Sequence, residues 1–387
     1  MNDELLREMR DKINGLDDGI VRLLNERAAV CVEVGKIKSE EGWDTYDPSR
    51  EERIYKKLSQ IQGGILPEGA LREIFREIIS ASRALQEPMG VSFLGPEASF
   101  SHQAALAHFG RDIRVAPQAT IPEVFAAVEK GNSLRGIVPV ENSTEGSVKT
   151  TLDSLITTPL AIRGELFLRI RHSLLSASRD LSAIEKVYSH PQALAQCRKW
   201  LQANLRGAVL VETESTAGAA LRVREEPSAA AVGSGIAAEA YRLNLLAEGI
   251  EDNPSNTTRF LIIGPRAKRN DGAMTGHDKT SVLFAAAHIP GGLQRALAPF
   301  AEEGINLTRI ESCPMRDRLW EYLFFVDFAG HIEEPRVQKC MEELEKQTAT
   351  LKVLGSYPRG MEPSESLQGK DRKENGNGNG NGKDSAR

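Results

Sequence analysis

Two cations interrupt an apolar stripe near the N-terminus. Leu6, Met9, Ile13, Leu16, Ile20 and Leu23 recur at the alternating three- and four-residue spacing of a heptad seam. The next seam position is Arg27, and Lys38, about three turns further on, shares its face with Cys31 and Val34 between them. A cation in a stripe that should be buried needs an anionic partner. Either nearby glutamates supply it, or the face forms a pocket for a small polyanion. Arg10 lies on another face of the same helix, from which it can reach a pocket in a second copy. Asp47-Pro48-Ser49-Arg50-Glu51 reads as a helix start, with Asp47 as cap and Pro48 in the first turn. Ser82 and Gln86 are four apart and face one way.

A second group of polar phrases follows short apolar runs. They run Gly95 to Ser101, Pro139 to Gly146, Ser189 to Gln192, Glu214 to Ala217 and Asn256 to Phe260. Ligands of open α/β sheets bind outside the carboxyl ends of the strands, and helix N-termini suit an anion. Ser99, Ser143, Ser215 and Thr216 are alternatively only helix caps. His190 reads as a structural hydrogen-bonder. No G-x-S-x-G elbow, P-loop lysine motif or H-E-x-x-H spacing occurs. No metal and no organic cofactor is expected.

These groups need elements to hold them. At roughly 150 residues per domain, 387 residues suggest two or three domains. Residues 1–88 are helical in period, and Pro88 ends that pattern. Over 90–266 β-type runs alternate with helical ones, the α/β signature. A polar stretch from Pro265 to Asp278 reads as a linker. Over 279–358 the order strand, helix, strand, strand, helix, strand gives a ferredoxin-like α+β fold. Residues 362–387 end in Asn-Gly repeats and read as a disordered tail. An unbroken helix over about residues 4–39 would be roughly 54 Å long, against a radius of gyration of about 12 Å for a compact domain of that size. A seam that overshoots its own globule should pack on another copy, so a homodimer is expected.

A net charge of −5 argues against a general nucleic-acid partner. The four cysteines lie far apart, which suits a reducing compartment. The acidic N-terminus opens no secretory signal. No uncharged apolar run approaches the ~20 residues of a membrane span, and a cytoplasmic location is expected.

At this point the residues resemble known families. Arg10, Arg27, Lys38, Asp47, Arg50, Glu51, Ser82 and Gln86, with the phrase Val32 to Lys38, resemble the functional set of the all-helical chorismate mutases. That resemblance implies a three-helix chain that dimerises, with Arg10 entering the partner's site. It implies Arg10 and Arg27 on the two carboxylates of chorismate, helped by Arg50. Lys38 and Gln86 would donate to the ether oxygen, Glu51 and Asp47 would bind the hydroxyl or orient the arginines, and Ser82 would contact a carboxylate. The rearrangement needs no proton or nucleophile, only a dianion held in its reactive conformer and support for charge growing on the ether oxygen.

Glu141-Asn142-Ser143, Ser189 to Gln192 with Gln196-Cys197 behind it, and Thr258-Arg259-Phe260 resemble the prephenate dehydratases. The resemblance implies two α/β lobes with a cleft, as in periplasmic binding proteins. It implies Thr258 as donor of the proton that the departing hydroxide needs. The implied substrate-binding set is Ser99, Glu141, Asn142, Ser143, His190, Gln192, Ser215, Thr216, Arg259 and Phe260. Arg259 either binds a carboxylate or pairs with Glu141. Structure is favoured, because a cation on the departing carboxylate would hinder its loss.

Pro290-Gly291-Gly292-Leu293 and Asn306-Leu307-Thr308, with Glu311-Ser312, resemble the two ligand phrases of ACT domains. They depart from the family pattern at Gly292, usually Ala, and at Cys313, usually Arg. The resemblance implies L-phenylalanine as allosteric ligand where two such domains meet. The three together imply conversion of chorismate to prephenate and of prephenate to phenylpyruvate in phenylalanine biosynthesis. A dehydratase acting on arogenate and a non-catalytic amino-acid sensor are the rival readings.

Overall fold

The structure is a computed structural model that describes residues 2–61, 64–266, 274–314 and 322–362. The tail anticipated over 362–387 lies outside the described residues, except Glu362. Three helices come first: α1 (Asn2–Glu40), α2 (Pro48–Ser59) and α3 (Glu68–Ala84). At 1.5 Å per residue α1 is about 58 Å long. Only its C-terminal part meets α3, where Gly35 is its one buried residue. The rest of the seam stands bare: Ile13, Leu16, Ile20 and Leu23 are each more than half exposed. Asp47 caps α2, its carboxylate accepting from the Arg50 N–H at 2.8 Å, with Pro48 in the first turn.

Next come two α/β lobes. The first sheet runs, edge to edge, Arg114–Gln118, Gly90–Leu94, Arg135–Asn142, Thr257–Gly264, Ala161–Arg169. Its first three strands are parallel, and Thr257–Gly264 is antiparallel to both its neighbours. The second sheet runs Asn244–Glu248, Ser173–Ser176, Ala229–Gly233, Lys186–Ser189, Val209–Glu212. The chain therefore crosses into the second lobe after Arg169 and returns as the strand that carries Thr258.

The last unit is a four-stranded antiparallel sheet ordered Leu307–Pro314, Tyr322–Ala329, Asp278–Ala286, Thr348–Pro358. The helices Gly292–Glu302 and Pro335–Gln347 complete the expected βαββαβ order. One sheet face carries a core of Val282, Phe284, Phe300, Val326 and Leu344 under these helices. The other face contributes Leu283, Phe325 and Leu354 to a core shared with Ile162, Leu261 and Ile263 of the first lobe. Gly355 permits this stacking: a Cβ there would stand 2.2 Å from the Ile162 carbonyl oxygen. Of the stretch read as a linker, 267–273 lies outside the described residues; at its end the Asp278 carboxylate accepts from Thr275 and Gly276, and the strand starts at Asp278. Among the described residues no helix is long and apolar enough to cross a membrane, and no acidic, His or Cys cluster could hold a metal.

Candidate active sites

The helical domain encloses a cavity of about 560 Å³ between α1, α2 and α3. Arg27, Lys38, Asp47, Arg50, Glu51, Ser82 and Gln86 all line it, over an apolar floor of Val30, Val34, Ile54 and Ile79. Arg10 does not. It lies about 26 Å from Arg27 along α1, on the exposed part of the helix. Arg27 donates to the Ser82 hydroxyl, which in turn donates to the Ile78 carbonyl at 2.6 Å. The Lys38 ammonium is held at the far end by the carbonyls of Asp44 (2.9 Å) and Thr45 (3.4 Å). Asp44 is itself ion-paired to Arg135, which is fully buried in the first lobe. The mutase-like cavity is thus closed at one end by a loop that the neighbouring domain grips.

Two residues that shape this cavity, one lining it and one behind Gln86, carry no signal of their own in the sequence. Arg83, a neighbour of Ser82, pairs with Glu51 at 2.7 Å and donates to the Phe109 carbonyl at 2.7 Å. Burial raises the Glu51 carboxyl and Asp47 adds to that, while Arg83 and Lys38 act against it. Gly35 is the second. A Cβ on it would lie 2.7 Å from Gln86 Cγ and 2.9 Å from Gln86 Cβ, so only glycine lets Gln86 seat against α1. With Arg83 matched to Glu51, three cations (Arg27, Lys38 and Arg50) face one further acid, Asp47. The cavity carries the excess positive charge that a dianion requires.

Between the two lobes a chain of side-chain amides leads to Thr258. Asn142 Nδ2 donates to Thr258 Oγ1 and to Asn256 Oδ1, each at 2.9 Å. Asn142 cannot be reversed, because its Oδ1 already takes the backbone N–H groups of Thr144 and Glu145. Thr258 therefore accepts from Asn142 and keeps its own proton to give. Asn256 Nδ2 reaches Gln196 Oε1 at 3.2 Å. Gln192, Gln196, Asn256 and Thr144 line a cavity of about 430 Å³ beside this chain. Asn256 stands inside a polar phrase at a strand start and Gln196 just behind another, though neither is in the substrate-binding set that the resemblance implies; their polar type is the available signal.

Other proposed binders have structural work. Ser99 accepts from the His102 N–H and donates to the Leu94 carbonyl, Ser215 accepts from the Gly218 N–H, and His190 Nδ1 accepts from the Gln192 N–H. All three are helix caps. Thr216 opens the helix behind Ser215. Ser143 accepts from the Thr257 N–H and so ties the returning strand in place. Phe260 is buried in the first-lobe core with Tyr46, Val91 and Phe93 and lines none of these cavities.

The pairing of Arg259 with Glu141 is not found. The two residues are register partners across adjacent strands, yet Glu141 turns to the third domain for its counter-charge and Arg259 to the third domain and to Glu165 of its own lobe. Glu141 meets Arg309 at 3.1 Å. Arg259 meets Glu165 at 2.7 Å and Asp327 at 2.5 Å, with the Tyr357 hydroxyl at 3.2 Å. Lys279 completes the quartet on Glu165 at 2.7 Å. Burial opposes the Arg259 charge, but Tyr357, Asp327 and Glu165 outweigh it and hold the guanidinium above its usual range. Two cations against two carboxylates leave this buried cluster neutral, the condition for tolerating charge away from water.

In the third domain Pro290 and Leu293 line a cavity of about 380 Å³ with His288, Tyr322 and Phe324. Gly291 adopts a left-handed φ of 76°. Gly292 accounts for its departure from the expected alanine: a Cβ would stand 2.0 Å from the Ala287 carbonyl oxygen. The second phrase faces elsewhere. Glu311 accepts from Ser147 of the first lobe at 2.8 Å, and Thr308 donates to the Asp327 carbonyl at 3.2 Å. Asn306 accepts from the Ala329 N–H. Leu307 packs on the core beneath the helices. Ser312 lies across from Phe324. Among the described residues, the cavity that holds Pro290 and Leu293 is lined by none of the second phrase.

Three family models match in succession: chorismate mutase type II over residues 9–87, prephenate dehydratase over 91–268 and the ACT domain over 280–346. A bifunctional chorismate mutase/prephenate dehydratase of Aquifex aeolicus (strain VF5) is 46% identical over 362 residues, which cover 92% of this chain and 99% of that protein. A crystal structure of prephenate dehydratase from Arthrobacter aurescens, in complex with L-Phe, is similar at a TM-score of 0.65 and 35% identity, covering 70% of this chain and 90% of that one. A structure described as a novel type of quorum quenching acylase, GqqA, is similar at 0.65 and 32% identity, covering 70% and 98%.

Proposed function

The chain belongs to the bifunctional chorismate mutases/prephenate dehydratases, and from that premise we propose which of its residues carry the two reactions. It rearranges chorismate to prephenate and converts prephenate to phenylpyruvate. We place the mutase in residues 1–88, the dehydratase in 90–266 and the regulatory ACT domain in 279–358.

The excess of cations lining the helical cavity carries the mutase assignment. Arg27 and Arg50 take the two carboxylates of chorismate, and Ser82 keeps Arg27 extended. Lys38 and Gln86 stand at the ether oxygen as its bond breaks, where fixed donors outperform water because they need not reorganise. Glu51, oriented by Arg83, and Asp47 face the ring hydroxyl. Arg10 enters from a second copy, because it lies far from its own cavity along a helix whose apolar seam is bare. Burying such a seam favours association at about 25 cal/mol per Å². A homodimer follows.

The polarity of Thr258 supports the dehydratase assignment. Its oxygen is occupied by Asn142 and its proton is free. As the carboxylate leaves as carbon dioxide, the electron pair of its C–C bond closes the aromatic ring and the ring C–O bond breaks. The departing hydroxide takes the Thr258 proton and leaves as water, and solvent must return that proton. The ACT domain binds L-phenylalanine, as its relative from Arthrobacter does. Four cysteines without a disulfide suit a cytoplasmic enzyme.

Incubating the protein with chorismate alone, with mass spectrometry of the products, tests this reading. Phenylpyruvate that accumulates, and is suppressed by L-phenylalanine, is the expected result. Prephenate without phenylpyruvate would refute the dehydratase assignment and direct the cleft to arogenate. Unchanged chorismate would refute the mutase.

A further inference from the structure

His172 is 2% exposed, sits where the chain enters the second lobe, and has no part in the chemistry above. Its Nε2 lies 2.9 Å from Gln196 Oε1. The tautomer follows from the far end of the chain. The N–H groups of Thr144 and Glu145 fix the Asn142 amide. Asn142 then donates to Asn256 Oδ1, so Asn256 presents its NH₂ to Gln196 and the atom there is oxygen. An oxygen facing His172 needs a donor, so the ring carries its hydrogen on Nε2. Its Nδ1 is buried and meets no donor among the described residues. Phe100 lies edge-on to the ring at 5.3 Å, and Glu251 takes the His172 backbone N–H at 2.9 Å. Burial lowers the affinity of the ring for a second proton, which Nδ1 would have no acceptor to share.

With two donors on its oxygen, Gln196 has one orientation. Its NH₂ meets no acceptor among the described residues, and the side chain lines the 430 Å³ cavity between the lobes. We propose that His172, as the neutral Nε2–H tautomer, is a positioning residue of the dehydratase: it fixes the Gln196 amide so that its NH₂ is presented to the substrate beside the Thr258 hydroxyl. The amide chain is then anchored at both ends, by the turn after Asn142 in the first lobe and by His172 in the second. Both donors of the cleft owe their polarity to it.

His172→Phe keeps the ring and removes the donor, whereas His172→Gln returns an N–H to the same oxygen. The expected result is a roughly three- to tenfold fall in dehydratase kcat for His172→Phe, the usual worth of one such bond. His172→Gln should recover most of it, and mutase turnover in the same samples should hold. A merely structural histidine would weaken the enzyme whatever stands at 196. A positioning one acts through Gln196, so His172→Phe should cost nothing further in a Gln196→Ala background. Full multiplication of the two losses would overturn the proposal, as would an unimpaired His172→Phe. Nitrogen-15 NMR of histidine-labelled wild-type enzyme gives a second test that needs no variant to fold. An Nε2–H ring is expected, and an Nδ1–H ring overturns the proposal. The inference rests on Thr258 as proton donor. That assignment fails on a different result, retained turnover in Thr258→Ala.

Discussion

Replacing Gly35 by alanine tests the mutase cavity at a residue that touches no substrate. The new methyl group would fall 2.7 Å from Gln86 Cγ and 2.9 Å from its Cβ, with Cα at 3.4 Å. Ordinary contact begins near 3.4 Å, so the Gln86 stem must retreat by at least about 0.7 Å. The crowded atoms belong to the root of the side chain, and a rotation at its tip cannot relieve them. Displacing a positioned group by about 1 Å costs on the order of 10²-fold in rate, so mutase kcat should fall roughly 10- to 100-fold. The fold should survive. Overpacking costs about 1–3 kcal/mol, and alanine in place of glycine within a helix returns about 1 kcal/mol. Chorismate consumption measures the effect, and conversion of added prephenate in the same preparation controls for it. In a Gln86→Ala background the amide is gone and only the Cβ contact at 2.9 Å remains, so the Gly35→Ala change should add little to the loss of mutase rate. A near-normal mutase rate in Gly35→Ala, or full additivity in the double variant, would refute the argument that Gln86 acts from this seat.

Other expectations follow from the same geometry. Thr258→Ala should abolish phenylpyruvate formation and leave the mutase rate intact, as assayed separately on prephenate and chorismate. Lys38→Ala should lose mutase turnover by several orders of magnitude while its sedimentation stays that of the unsubstituted protein. Asp327→Asn removes one of two carboxylates from a buried quartet, and stranding a buried cation costs about 3–5 kcal/mol; urea unfolding should show a clearly lowered midpoint. His108, hydrogen-bonded to the Tyr46 hydroxyl at 2.6 Å, has its pKa pushed down to about 3 by removal from water, with Arg83 and Arg72 adding to it. The unfolded chain binds that proton near pH 6.5 and the folded one does not. Stability should therefore decline as pH falls from about 6.5 towards 3, by up to about 1.4 kcal/mol per pH unit from this group. His108→Asn should flatten that slope in urea titrations at several pH values.

The legible part of the molecule is the part written in local pattern. The heptad seam, the Asp47 cap and the βαββαβ order all rest on neighbours within a turn or a strand, and each is found where the spacing put it. The cation set on α1 was legible for the same reason, since Arg27 and Lys38 share a face by helical period alone. Arg83 was not. It sits beside Ser82 in sequence but turns to Glu51 on the neighbouring helix and to the Phe109 carbonyl of the next domain, contacts that exist only once the helices pack and the domains dock. Arg259 and Glu141 show the same limit from the other side. Their backbones are paired, as the strand reading allowed, but the stacking of the third domain offers each a different counter-charge. Gly292 read as a departure from a family phrase, and the nearby Ala287 carbonyl makes it a requirement.

The strand Thr257–Gly264 lies between Arg135–Asn142 and Ala161–Arg169, yet it is made only after the whole second lobe. On the ribosome, the two strands that will flank it must wait while roughly ninety further residues emerge, about 5–18 s at ~5–20 residues per second. Throughout that wait the nascent first lobe carries unpaired apolar edges, the usual template for wrong pairing with another chain. The order of the chain thus sets an interval during synthesis in which a chaperone has an edge to hold, and it makes any truncation before Thr257 a protein without the strand that joins Ala161–Arg169 to the rest of its sheet.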